Sequence, residues 1–139
     1  MANYVYVEVR IIAEPTAILD MVVEVANTVA EEARGGSHNT HLQALIDRRT
    51  PKVPEVDGLW LDWRSHILGF DMRQYDTLYL YLEQPHNTNL SRLQNWAKTF
   101  DPESRVLFVT NYLDGDLLET NDQSLIDQHS KEYCYSEIA

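Results

Sequence analysis

The chain contains one cysteine, Cys134, which excludes an internal disulfide framework and fits a reducing compartment such as the cytoplasm. No apolar run approaches the roughly 18 residues that a membrane-spanning helix needs. The opening stretch, MANYVYVEVR, has no basic segment leading into an apolar one, so no secretion signal is expected. Bases are scarce as well: 11 Lys and Arg stand against 22 Asp and Glu, for a net charge of −11. Such a chain repels phosphate, so direct nucleic-acid binding is not expected. There is no Gly-rich phosphate loop, no serine nucleophile elbow, no internal repeat and no low-complexity segment.

What is present is enough for one globular domain. A chain of 139 residues, 44% hydrophobic and 24% charged, buries a core without staples. The acid excess is uneven, −3 over residues 1–50, −1 over 51–100 and −7 over 101–139. Its densest part is DGDLLETNDQSLID, from Asp114 to Asp127. A calcium-binding EF-hand loop needs glycine at its sixth position and a bidentate glutamate at its twelfth. Counted from Asp114 these are Glu119 and Leu125, so calcium is excluded and charge remains. Two readings of that charge stay open, solubility and attraction to a basic protein surface.

YVYVEVRII alternates with the period of a half-buried strand, Val5, Val7, Val9 and Ile11 against Tyr4, Tyr6, Glu8 and Arg10. From Thr16 to Arg34, Leu19, Val22, Ala26, Val29 and Ala33 mark an amphipathic helix that Gly35 and Gly36 stop. Residues 35–57 read as a long surface excursion holding a short helix near Thr40–Arg48, broken by Pro51 and Pro54. LWLDWRSHILGF predicts a strand with an irregularity near Ser65–Gly69, and DTLYLYLEQP a second. Asn87 to Asn89 cap a helix with Leu90, Leu93, Trp96, Ala97 and Phe100 on one face, ended by Asp101–Pro102. SRVLFVTNYL is a further strand, closing at Asp114–Gly115. In the acidic extension, residues 114–139, Leu117, Leu118, Leu125 and Ile126 supply one short helix and YCYSEIA a final edge strand.

The order strand, helix, strand, strand, helix, strand predicts a ferredoxin-like α+β sandwich, four antiparallel strands with two helices on one face. An antiparallel sheet of another strand order is the alternative. The opening MANYVYVEVRI, the WLDW pair of tryptophans, YDTLYLYLEQP and the closing RVLFVTNYLDGD together resemble the YubB-type ferredoxin-like proteins of phages and plasmids. The resemblance spans most of residues 2–116 and implies the same fold and a mobile-element origin. It implies no catalytic residues.

Helices on one face leave the other exposed. The aliphatic sets Val5/Val7/Val9, Leu59/Leu61, Leu78/Leu80 and Leu107/Val109 are expected under the helices. Tyr4, Tyr6, Trp60, Tyr79, Tyr81, Phe108 and Tyr112 are then left opposite, a face richer in aromatics than water favours. Stacking of nucleic-acid bases is disfavoured by Glu8, Asp62 and Glu83 on that face. A partner protein, a second copy, or the C-terminal extension folded back would each cover it. Catalytic constellations are thin: His38 and His41 in a polar loop, and Cys134 five residues from His129 without bases to activate the thiol.

The expectation is a small cytoplasmic binding protein without catalytic residues, cofactor or metal. It would engage a basic, nucleic-acid-binding protein surface such as a host-defence effector, as a phage or plasmid inhibitor and nucleic-acid mimic. Its contact residues would be Asp114, Asp116, Glu119, Asp122 and Asp127 with Tyr4, Tyr6, Trp60, Tyr79 and Tyr81, the tyrosine face also serving a homodimer. A toxin-neutralising immunity protein and a small dimeric enzyme with a site near His38, His41 and His66 are the alternatives.

Overall fold

The computed structural model describes residues 4–50, 63–85 and 90–138. Its centre is one antiparallel sheet with helices on both faces. The alternating first segment is β1 (Tyr4–Ile12), with Val5, Val7, Val9 and Ile11 buried on one side. Pro15 opens α1 (Pro15–Arg34), since proline at the first helical position forfeits no hydrogen bond. The helix stops at Gly35, and Gly36 takes the left-handed φ of +84° that side chains disfavour.

Two residues, β2 (Thr40–His41), then touch the sheet edge before α2 (Leu42–Arg49). The next strands are β3 (His66–Gln74) and β4 (Thr77–Pro85), followed by α3 (Ser91–Phe100), β5 (Arg105–Tyr112), β6 (Gly115–Thr120) and α4 (Gln123–Ile138).

Among the described residues the sheet has six strands in the order β2-β3-β4-β1-β5-β6, where the sequence predicts four. The four expected strands occupy the inner positions, β3-β4-β1-β5, and the additions are both edges. At Asp114–Gly115 the chain does not end its strand run but turns into β6, helped by Gly115 at φ +137°. The expected C-terminal edge strand is instead the second half of α4. Trp60, Leu59, Leu61 and Asn87 to Asn89 lie outside the described residues, and the strand predicted from LWLDW begins at His66.

The main core lies between the sheet and α1, α2 and α3. Ile18, Met21 and Val25 of α1, Leu42, Leu45 and Ile46 of α2, and Leu93 and Trp96 of α3 pack on Val7, Val9, Ile11, Leu78, Leu80, Leu82 and Phe108. The buried stripe of α1 is Ala17, Ile18, Met21, Val25 and Thr28, with Val22 and Val29 at its margin. Leu19, Ala26 and Ala33, expected inside, are exposed. Apolar residues surround much of this helix, and the bulky Ile18 and Met21 fill the inward positions.

On β5 the expected facing is reversed. Phe108 opposes Val9 and belongs with Val106 under the helices, while Leu107 and Val109 oppose Arg10 and Glu8 on the other face. Tyr112 likewise packs at the margin of the main core and is not on the tyrosine face. Leu107 and Val109 are buried there because α4 crosses that face and sets Leu125 against them. Burying apolar side chains on both faces of one strand removes the alternation from its sequence.

Candidate functional site

The face opposite the main core is laid out in rows by the strand register. One row runs His41, His66, Glu83, Tyr6, Asn111, Asp116 across all six strands. The next is Gly69, Tyr81, Glu8, Val109, Leu118, and the third is Asp71, Tyr79, Arg10, Leu107, Thr120. Helix α4 packs over the β5–β6 side through Leu125, with Ile12, Leu118 and Ile126 around it. The C-terminal extension is therefore part of the fold.

The corner that launches α4 is tightly fastened. Asn121 Oδ1 accepts from the Val106 amide at 2.9 Å, and Thr120 Oγ1 donates to the Val106 carbonyl at 2.6 Å. Asp122 caps the helix, its Oδ1 accepting from both the amide (3.0 Å) and the hydroxyl (2.8 Å) of Ser124. The Ser124 hydroxyl, then Arg105, holds the Asp122 carboxyl below its ordinary value.

Beside α4 lies a cavity of about 500 Å³, lined by Tyr6, Glu8, Arg10, Tyr81, Asn111 and Asp116 among others, with His129 of α4 at its wall. Arg10 is its organiser. Its guanidinium reaches Glu8 Oε2 at 3.2 Å and His129 Nδ1 at 3.1 Å, and lies 5.4 Å from the Tyr79 ring. A guanidinium only donates, so His129 accepts at Nδ1 and carries its proton on Nε2. Arg73 sits 4.4 Å from the same Tyr79 ring and donates to Tyr81 Oη at 3.0 Å and to Asp71 at 3.3 Å. Tyr81, then Asp71, keeps Arg73 above the ordinary guanidinium value.

Both arginines are thus matched by carboxylates of the same face. Glu83 and Asp116 take part in no ion pair among the described residues, so the face is net acidic. Tyr6 is 55% exposed, Tyr4 43% and Leu68, which projects at the β3 irregularity, 53%. Side chains of this size left in water, rimmed by charge, are the composition of a contact surface.

Of the contact residues expected from sequence, Tyr4, Tyr6, Tyr79, Tyr81 and Asp116 share this face, while Trp60 lies outside the described residues. The remaining acids scatter. Asp114 is in the β5–β6 turn, Glu119 opposes Phe108 on the helix side, Asp122 is the cap, and Asp127 is exposed on α4. Arg73 and Leu68 were not singled out in the sequence, and His129 was weighed only as a partner for Cys134. Alternation placed Arg10 beside the tyrosines, but His129 reaches the face only because α4 folds back.

The histidines divide. His38 is exposed beyond α1, whereas His41 and His66 pair across β2 and β3 with ring centres 4.8 Å apart. His129 contacts Arg10, and the side chain of its sequence neighbour Cys134 lies outside the described residues. Among the described residues no helix is long and apolar enough to cross a membrane. The chain matches no family model, no curated protein and no solved structure.

Proposed function

We propose that the chain is a small acidic binding protein, not an enzyme, and that its open sheet face docks on a basic surface of another protein. The observation that carries the reading is one row of that face, where the exposed Tyr6 stands between Glu83 and, past Asn111, Asp116. Tyrosine supplies broad contact area at low conformational cost, and lysine or arginine of the partner supplies the countercharge. The net charge of −11 steers such a partner toward the protein and keeps phosphate away. We further read the inner strands, β3-β4-β1-β5 with α1 and α3 on one side, as a ferredoxin-like core extended at both edges. With the YubB-type resemblance this favours an inhibitor of phage or plasmid origin, directed at a protein that holds nucleic acid, over an immunity protein.

The test is capture of the partner from the native host by the immobilised chain, followed by an affinity measurement across salt. The expected Kd rises at least about tenfold between about 50 mM and about 500 mM salt, because screening shortens the reach of exposed charges. An affinity flat across that range contradicts the electrostatic reading. A second copy of the chain as the captured species, seen by light scattering, replaces it with a homodimer.

A further inference from the structure

The outer end of the same row carries two histidines that docking does not use. His41 ends β2 and faces His66 of β3, and His66 faces Glu83 of β4, so two imidazoles and a carboxylate stand on neighbouring strands. Directly opposed residues of an antiparallel pair have Cβ atoms about 4.5–5.5 Å apart, within reach of one shared ion.

The hydrogen bond of His41 fixes its tautomer. Its Nδ1 lies 3.1 Å from the Trp63 carbonyl oxygen, which can only accept. Nδ1 therefore carries the proton, and Nε2 is left with its lone pair. A ring nitrogen tied to a backbone carbonyl, with the other nitrogen free, is how metal-binding histidines are held. The Glu32 carboxylate of α1 secures the same residue from behind, accepting from the His41 amide at 2.7 Å.

The spacing agrees. Two imidazoles on one tetrahedral ion, each at a metal–nitrogen distance of about 2.0–2.1 Å, have ring centres on the order of 5 Å apart. The observed separation is 4.8 Å, with the planes tilted by 49°. As the side chains stand, no three His, Cys, Asp or Glu among the described residues converge on one point. The pair is therefore the primary donor set, with Glu83 opposite His66 on the neighbouring strand.

We propose that His41 and His66 form a binding site for a divalent transition-metal ion that prefers imidazole, zinc foremost, with Glu83 or water completing the shell. Such an ion would clamp the two-residue strand β2 to β3 and fix the entry to α2. Glu83 is shared with the docking contact, but the two histidines are not, so a test on the histidines can fail without the docking reading failing.

Calorimetric titration of the full chain with zinc chloride tests it. One saturable site is expected, weakened at least about tenfold by His41→Gln or His66→Gln, as loss of a metal-site group commonly does, and unchanged by His38→Gln. Thermal melting without zinc verifies that the variants fold. Should they not fold, zinc must shift the ring ¹⁵N resonances of both His41 and His66 in the unaltered protein. Absence of saturable binding, binding undiminished in the folded His41→Gln and His66→Gln variants, or unmoved ring resonances would overturn the proposal.

Discussion

His66 is a residue whose charge state the fold biases. Burial is the largest cause, His41 adds to it, and Glu83 and Glu32 oppose. The folded state thus prefers the neutral ring, whose ordinary pKa is 6.5. A depressed value means the unfolded chain binds the proton more readily. The stabilising contribution is therefore present above about 6.5 and declines as pH falls through that point toward the folded value. Urea unfolding between about pH 7.5 and pH 5.5 should show a steeper loss of stability in the unaltered protein than in His66→Gln. Equal slopes would mean that neither burial nor the neighbouring His41 biases the protonation of His66.

At the scale of elements, α2 is held by polar fastening as well as by its three buried side chains, Leu42, Leu45 and Ile46. Arg92 of α3 donates to Asp47 Oδ1 at 2.6 Å and to the Thr50 carbonyl at 3.0 Å. Its side chain is 8% exposed and that of Asp47 31%. Asp47→Ala leaves a nearly buried guanidinium short of its carboxylate. Because Asp47 keeps part of its surface in water, the cost should be about 1–3 kcal/mol, below the about 3–5 kcal/mol of breaking a fully buried pair. Equilibrium unfolding in urea would measure it. A loss under about 0.5 kcal/mol, as at an ordinary surface site, would show the pair to be replaceable.

Elements whose two sides differ were legible in the sequence. β1 and β4 alternate because one face meets the core and the other does not, and α3 shows its stripe of Leu90, Leu93, Trp96 and Ala97 plainly. β5 was misread in facing because Val106, Leu107, Phe108 and Val109 are all buried, on alternate sides. Nothing in VLFV says which side is which until α4 is in place. α4 itself was obscured by the aromatic run YCY, which favours strand locally, while the cap at Asp122 and the docking of Leu125 decide for helix. β2 could not be read at all, since two residues carry no period. The tyrosine half of the candidate site follows from β1 and β4. Arg10's bond to His129 and the His41–His66 pair required the tertiary fold.

The whole molecule is asymmetric. Among the described residues, three helices cover the main core and α4 alone lies on the opposite face, anchored by a small cluster of Leu107, Val109 and Leu125. Tyr4, Tyr6 and Leu68 are left exposed on that less covered side. On the proposed reading, Tyr6 beside Glu83 and Asp116, which form no ion pair among the described residues, would meet bases on another protein. Leu19 and Val23 of α1, 53% and 56% exposed, provide a matched control, being apolar and accessible but on the helix side. The most direct measurement is the fraction of partner retained by the immobilised chain, by a Tyr6→Arg/Glu83→Lys variant, and by a Leu19→Lys/Val23→Lys variant, each verified as folded. Full retention by the α1 variant and loss of at least about nine-tenths by the open-face variant are expected, since introduced like charge at a contact costs several kcal/mol. Retention by the open-face variant with loss by the α1 variant would contradict the proposed docking.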